Sequence, residues 1–488
     1  MEKHSEQKVA PAADLESVGS TLVTWDGLDD TEDPKNWPFS IRWRITGIVS
    51  AFTFISPVST SMTAPSLGIV GTDLGITKPF TLSLTLSIFV LAYSVSPFLV
   101  GPLCELYGRR PVLQLFNLFY LAFNTACGFA QTGTQLIVFR FFAGFGGCAA
   151  QVIGNGVLAD IWRKEERGLS IGLYTLITLL SPTLGPVLGG FITQYSSWRW
   201  TFWAVSIADS VIQVAGVIGL RETFAPVLLG RKAERLRRET GNIALHTKWE
   251  GPDRNLAKLV GTALSRPFIL MATEPILQLL ILYVSYLFGL VYLALTTFAE
   301  LWTSRYHESI SIAGLNYLAL AVGYIIGTQT CARSMDIIYK RLKESRGKGR
   351  GRPEYRLPLL LPGSLLVPVG LLWYGWSAEK HLHWIMPDIG IAIMGVGIKF
   401  GMQTSNAYAL DVYPTYAASA SAGSLCVRSL AGFSFPLFAP YMYSSLGYGW
   451  ANSVLALVAL CIGLPAPFLL WLYGPVLRKQ SRYVKAGL

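Results

Sequence analysis

Charge is scarce in this sequence, and so are the residue patterns on which most chemistry at neutral pH depends. Only 14% of the 488 residues are Asp, Glu, Lys or Arg, against 52% hydrophobic. So little charge cannot give several soluble domains a polar surface, although the length alone would suit them. The five histidines form no H-E-x-x-H pattern, and no G-x-x-x-x-G-K-(S/T) loop is present. Those absences exclude a zinc-protease helix and the phosphate cradle of an ATP-driven motor. The six cysteines, Cys104, Cys127, Cys148, Cys331, Cys426 and Cys461, are scattered through apolar stretches without C-x-x-C spacing, so they read as small packing residues and not as metal ligands. No nucleophile and base stand out together. The expectation is a non-enzyme with no metal and no cofactor, whose energy source is an ion gradient.

What is abundant is apolar run length. With a mean hydropathy of +0.43, the chain divides into about twelve stretches long enough to cross a bilayer as helices, which predicts one polytopic all-α membrane unit. A net charge of +11 would suit nucleic acid, but its distribution argues otherwise. Lys78, Arg199, Arg305 and Lys380 alone fall in the even-numbered connections, and Arg140, Lys399 and Arg428 fall within spans; the remaining Lys and Arg lie in the termini and odd-numbered connections. By the positive-inside rule both termini face the cytoplasm. The basic balance is topology, and no nucleic-acid partner is expected.

The most informative stretch is Gly101–Pro111, GPLCELYGRRP, between two apolar runs. A tight reversal of two helices uses glycine, here Gly101 and Gly108, for positive φ and close approach. Glu105 can cap a neighbouring helix or pair with an arginine, and Arg109 and Arg110 stay in water. The plainer reading is a basic hairpin that only sets topology. Arg140 lies in RFFAGFGG, which also holds Gly144. A charge inside a span costs at least ~2.5 kcal/mol at the bilayer centre, so Arg140 either faces protein or water, or snorkels to the interface. In the run SPTLGPVLGG, Gly185, Gly189 and Gly190 make a flat face for close helix packing, and Pro186 removes a backbone hydrogen bond and bends the helix. The plainer reading there is ordinary small-residue packing.

Taken together and in order, these three stretches resemble the motifs of the major facilitator superfamily. Gly101, Glu105, Gly108, Arg109 and Arg110 match its helix 2–3 loop, Arg140 its helix-4 motif, and residues 181–190 the helix-5 motif of its proton-coupled antiporters. Further runs are similar to the fungal twelve-span drug:proton antiporter branch: Trp25-Asp26-Gly27 with Asp33-Pro34-Lys35-Asn36-Trp37-Pro38, the P-E-x-R-L-P signature at 353–358, and helix 11 from Ala417 to Pro440. Leu106 departs from the pattern where many relatives carry a basic residue, and Lys399 belongs to no shared pattern.

The resemblance implies twelve transmembrane helices in two pseudo-symmetric six-helix sets. The divisions expected are a mobile cytoplasmic tail (1–40), a first set (41–221), a central cytoplasmic loop (222–266), a second set (267–475) and a basic tail (476–488), with no cleaved signal peptide. Helix 3 should start at Val112. The implied activity is proton-coupled antiport exporting drugs, toxins or an aromatic secondary metabolite. Arg140, with Asp209, Lys399 and Arg428, would serve proton coupling and transport; the loop and helix-5 residues, with Gly144, would gate it. Partners would be a small organic substrate, protons and the lipid bilayer, with one copy working alone in the cell membrane; the vacuolar membrane is the other location the residues allow. The alternatives are a polyamine or nutrient carrier of the same fold, or a non-transporting sensor. Three intramembrane cations against one acid favour a neutral or anionic substrate, and Tyr283, Tyr286, Phe288 and Tyr408 are expected to offer it aromatic faces. Against that stands a structural pairing of Lys399 and Arg428 that never meets a ligand.

Overall fold

The computed structural model describes residues 21–27, 29–163, 166–250, 256–345, 351–414, 416–481 and 483. The expectations for residues 1–20 and 484–488 lie outside the described residues. The long helices are helix 1 (Phe39–Met62), helix 2 (Pro79–Val95 continued by Pro97–Tyr107), helix 3 (Arg109–Gly128), helix 4 (Gly133–Gly147 continued by Ala149–Ile161), helix 5 (Arg167–Tyr195) and helix 6 (Arg199–Gly219). A linker helix (Ala225–Thr240) and an approach helix (Leu256–Thr273) follow. Then come helix 7 (Pro275–Glu300), helix 8 (Ile310–Leu315 continued by Tyr317–Ser345), helix 9 (Leu360–Glu379) and helix 10 (Ile385–Val412). The stretch Ala417–Gly463 breaks at Gly447, whose φ of 71° no helix contains, so helix 11 precedes that residue and helix 12 follows it, extended by Pro465–Gln480.

Among the described residues nine segments are long and apolar enough to cross a membrane. Helix 2 adds another across a 45° bend at Pro97, where the ring removes a backbone donor. The longest segment, Ser419–Gln480, holds both helix 11 and helix 12. Helix 3, with Gln114, Asn117 and Asn124, turns its polar side chains onto helix 6 and helix 1. The all-helical twelve-span architecture is thus as expected. Helix 7 is buried from Tyr283 to Ala299 except for the partly exposed Phe288, as a helix apolar all round must largely be, and the largest packed cluster forms around it.

Successive helices alternate in direction, which gives the bundle two ends. The loop end carries 101–111, the linker helix and the connections before helices 9 and 11; the opposite end carries 74–78, 196–198, 306–309 and 380–384. At the opposite end helix 5 packs on helices 1 and 8, and helix 2 packs on helix 11. Ala64, Leu86, Val90 and Leu179 join the cluster around helix 7. Toward the loop end, helices 4 and 5 make no comparably broad contact with helices 10 and 11 among the described residues; the approach helix bridges there instead, stacking Phe268 on Phe98 of helix 2 at 5.5 Å between ring centroids. The bundle is closed at one end and parted at the other.

The expected mobile tail is corrected for its second half, because residues 21–38 form a clasp. Leu22–Val23 pairs in parallel with His246–Thr247. Beside those strands, Lys232 of the linker helix, 4% exposed, meets Asp26 at 2.8 Å and Asp30 at 3.1 Å, with the Trp25 ring 6.0 Å away. Arg235 pairs with Glu32, Arg163 donates to Asn36, and Arg221 stands over Trp37. Burial raises the Asp30 carboxyl, but two backbone N–H donors and Lys232 outweigh it and hold Asp30 below its ordinary range. Burial likewise lowers Lys232, and its two aspartates outweigh that to raise it. A depressed acid stabilises above its unfolded pKa and loses that contribution as pH falls through the folded value; a raised base stabilises below its unfolded pKa and loses it as pH rises through the folded one. The clasp should therefore hold across neutral pH and fail first in acid. We predict that Lys232→Met, which removes the cation partner of the buried Asp30 carboxylate at a cost of about 1–3 kcal/mol, exposes residues 21–38 to protease at pH 7. A digestion rate equal to the parent's would refute the clasp.

Candidate functional site

Gly108 ends helix 2 with φ of 98°, a conformation that favours glycine, and helix 3 starts at once with Arg109 and not at Val112. A β-carbon at Gly108 would also run into the Glu222 carboxylate. Glu222, 7% exposed, accepts from the backbone N–H of Arg109 at 2.9 Å and Arg110 at 3.1 Å, and from those of Thr223 and Phe224. The acid that caps helix 3 is therefore Glu222 and not Glu105, which is exposed. Two orphan donors at the start of helix 3 and two in the turn after helix 6 thus meet on one carboxylate, a convergence of distant segments that no local pattern marks.

Arg109 is half-buried, not free in water. Its Nε donates to Asp160 at 3.2 Å, its guanidinium lies 4.8 Å from the Phe224 ring centre, and Gly156 leaves the space it occupies. Arg110 is exposed but donates to the Val217 carbonyl in the last turn of helix 6, where a cation meets the negative helix end. All these partners come from helices 3 to 6 and the residue run just after them. Gly101 lies inside helix 2 with no neighbour in reach of a β-carbon, so it is not the close approach expected of it.

Helix 5 continues for 29 residues through Pro182 and Pro186 without a break. Its glycines look two ways. A β-carbon at Gly185 would stand 2.7 Å from the Val58 carbonyl oxygen, and one at Gly189 would collide with the Met62 carbonyl, both on helix 1. One at Gly190 would stand 2.7 Å from the Ile310 carbonyl oxygen of helix 8, and one at Gly314 would stand 2.6 Å from the Pro186 carbonyl oxygen. Gly144 similarly clears the backbone of Phe89 on helix 2.

Arg140 is 1% exposed, which rules out snorkelling. Helix 1 stops at Met62, just before Ala64-Pro65, and its last carbonyls lack intrahelical donors. Arg140 supplies them: its guanidinium donates to the carbonyls of Ser59 and Thr60 at 3.1 Å each, to Thr85 of helix 2 at 3.2 Å and to the Thr63 hydroxyl at 3.3 Å. The rings of Phe89 and Phe202 lie over it. None of these partners is a carboxylate.

Asp209 stands apart from Arg140. Fully buried between helices 6 and 3, it accepts from Asn117 Nδ2 at 3.1 Å through both oxygens, and the same nitrogen reaches Gln213. Lys399 and Arg428, by contrast, come together from helices 10 and 11 within electrostatic range of each other. Lys399 Nζ sits 4.0 Å from the centre of the Tyr324 ring, and Arg428 5.2 Å from that of Phe288. Among the described residues neither forms an ion pair with a carboxylate. Tyr283, Tyr286 and Tyr408 are not aromatic faces of the interior. Tyr283 contacts Ser364, Tyr286 donates to the Leu455 carbonyl, and Tyr408 is fully buried beside Gly474. Phe288 keeps its place, and Tyr292 and Tyr324 replace the other three; their spacing from Phe288 on helix 7 and their position on helix 8 carried no distinguishing signal.

The P-E-x-R-L-P run ties the loop end of the later helices: Glu354 pairs with Arg478 of helix 12 at 2.8 Å, and Arg356 pairs with Asp411 at the end of helix 10.

A family profile described as Major Facilitator Superfamily matches residues 49–436. The efflux pump vrtL of Penicillium aethiopicum is 49% identical over 473 residues, covering 97% of this chain and 93% of that protein. The MFS-type transporter oryF of Aspergillus oryzae is 44% identical over 93% of this chain and 94% of its own length. Among solved structures, the xylose transporter XylE from E. coli in a partially occluded inward-open conformation superposes with a TM-score of 0.66 at 14% identity, over 88% of this chain and 97% of that one. With the twelve-helix fold, the loop and helix-5 geometry and these relatives in agreement, the chain belongs to the major facilitator superfamily and is a multi-pass membrane transporter.

Proposed function

We propose that this transporter is an exporter of small organic molecules, aromatic metabolites or toxins among them, driven by exchange for protons. Two six-helix halves would rock about the interior that Lys399 and Arg428 face. The observation that carries the reading is the crossing of helix 5 with helices 1 and 8 at Gly185, Gly189 and Gly190. A seal made of backbone against backbone can part and re-form without pulling long side chains out of a partner, which suits a contact that must open in every cycle. Efflux pumps among the relatives support export. Unpaired interior cations disfavour a polyamine.

In this reading the loop end is cytoplasmic, since the basic residues gather there. A membrane-impermeant amine reagent applied to intact cells should label the exposed Lys380 and spare the exposed Lys248 and Lys343 at the loop end; the reverse pattern would invert the topology. Arginine does not release its proton in proteins, so Arg140 is a fixed charge and structural tie, and the proton goes to Asp209, whose hydrogen-bond donor among the described residues is the Asn117 amide. Asp209→Asn keeps the shape and the contact with Asn117. It should abolish accumulation driven by a pH gradient while leaving substrate exchange at equal pH intact; retention of gradient-driven export would assign Asp209 a packing role.

The export reading itself is tested in cells with and without the protein, by retention of candidate compounds before and after a protonophore. Gly190→Leu should reduce export at least about tenfold, because overpacking a close backbone crossing costs ~1–3 kcal/mol in the closed state alone. A well-expressed variant with parental export would remove that crossing from the transport cycle.

A further inference from the structure

Lys399 and Arg428 lie deep in the bundle, yet each keeps some accessible surface, so they line an internal space instead of packing solid. Arg140, sealed at 1% exposure and satisfied by four oxygens, differs on both counts. Two cations held near one another in a low-dielectric interior without an acid are unfavourable, through desolvation and mutual repulsion. The protein supplies only ring faces: Tyr324 for Lys399, and Phe288 for Arg428. Helix 7 sets Tyr292 next to Phe288, with ring centres 5.0 Å apart, and Gly432 of helix 11 makes room for both rings. Two buried polar atoms also lack partners among the described residues: Arg428 Nε, a donor, and Gln403 Oε1, an acceptor. Gln403 follows Lys399 by one helical turn, which places both on one face of helix 10.

We propose that Lys399, Arg428 and Gln403, framed by Phe288, Tyr292 and Tyr324, form a site for a planar aromatic monoanion that also carries a hydroxyl. The anion supplies one counter-charge shared by the two cations and accepts from the free Nε–H, the hydroxyl donates to Gln403, and the ring system meets the aromatic side chains. This rests on the transport reading above and narrows its substrate class from neutral or anionic compounds to anions. Lys399, which matches no shared family pattern, sets the charge preference.

The test is equilibrium binding to the purified full chain in lipid nanodiscs, with no pH gradient, using hydroxynaphthoate and its uncharged amide as probes. The readout is the ratio of their affinities. In the parent protein the acid should bind at least about tenfold more tightly, the scale of a hydrogen-bonded charge interaction. Lys399→Met should bring the ratio toward one, Lys399→Glu should reverse it, and Lys399→Arg should retain it, which separates charge from packing. Equal affinities in the parent, or a ratio unchanged in Lys399→Met and Arg428→Met, would overturn the site. Chloride displacing the acid at no cost to the ratio between variants would also overturn it. Because no gradient is used, a charge-selective site with no proton-driven movement would refute the antiport reading alone. Export of neutral compounds with no charge preference would refute the anion site alone.

Discussion

Helix 1 ends inside the protein, and the carbonyls of its last turn need donors that neither lipid nor the following Ala64-Pro65 segment can supply. An unsatisfied backbone group in hydrocarbon costs several kcal/mol. Arg140 meets that need from helix 4, and the exchange decides between two large terms. Placing an arginine at mid-bilayer costs ~2.5–3.5 kcal/mol on insertion scales, whereas four hydrogen bonds from a charged donor contribute ~1.5–3 kcal/mol each. The tie joins helices 1, 2 and 4 around one guanidinium. It fixes where helix 1 stops and thereby sets the depth at which Gly185 and Gly189 of helix 5 meet the Val58 and Met62 carbonyls.

From that tie outward, the molecule handles charge in two ways. Near the loop end every functional charge has a partner of opposite sign or a helix terminus: Arg109 with Asp160, Glu222 with the start of helix 3, Arg356 with Asp411, Glu354 with Arg478, and Lys232 with two aspartates. In the interior, Lys399 and Arg428 have aromatic faces and, among the described residues, no acid. Paired charge gives rigidity and registry. Charge left uncompensated on an accessible wall is an affinity for something that arrives from outside the chain.

The clasp formed by residues 21–38 gives the tryptophans of the Trp25–Pro38 run a role that membrane anchoring does not cover. They sit against Lys232 and Arg221, so the linker helix is fastened to the lead-in of helix 1 and to Arg163 after helix 4. A connection held in this way is tied to helices 1 to 6, while the approach helix packs on both helix 2 and helix 11.

Span number, helical class and the order of the motifs were legible in the chain, because hydrophobic run length and glycine spacing are local quantities that the bilayer reads directly. The glycines of helix 5 could be marked as a packing face for the same reason, and Arg140 as a charge too costly to be idle. Which partners these residues take is not local. Glu222 caps Arg109 from 113 positions away, Gly190 meets helix 8 although a single face was expected, and Tyr283, Tyr286 and Tyr408 turn into the core while Tyr324 faces Lys399. A helix apolar on all sides carries no periodic mark of which side meets a cavity, so the lining of helices 7, 8, 10 and 11 was settled by tertiary packing alone.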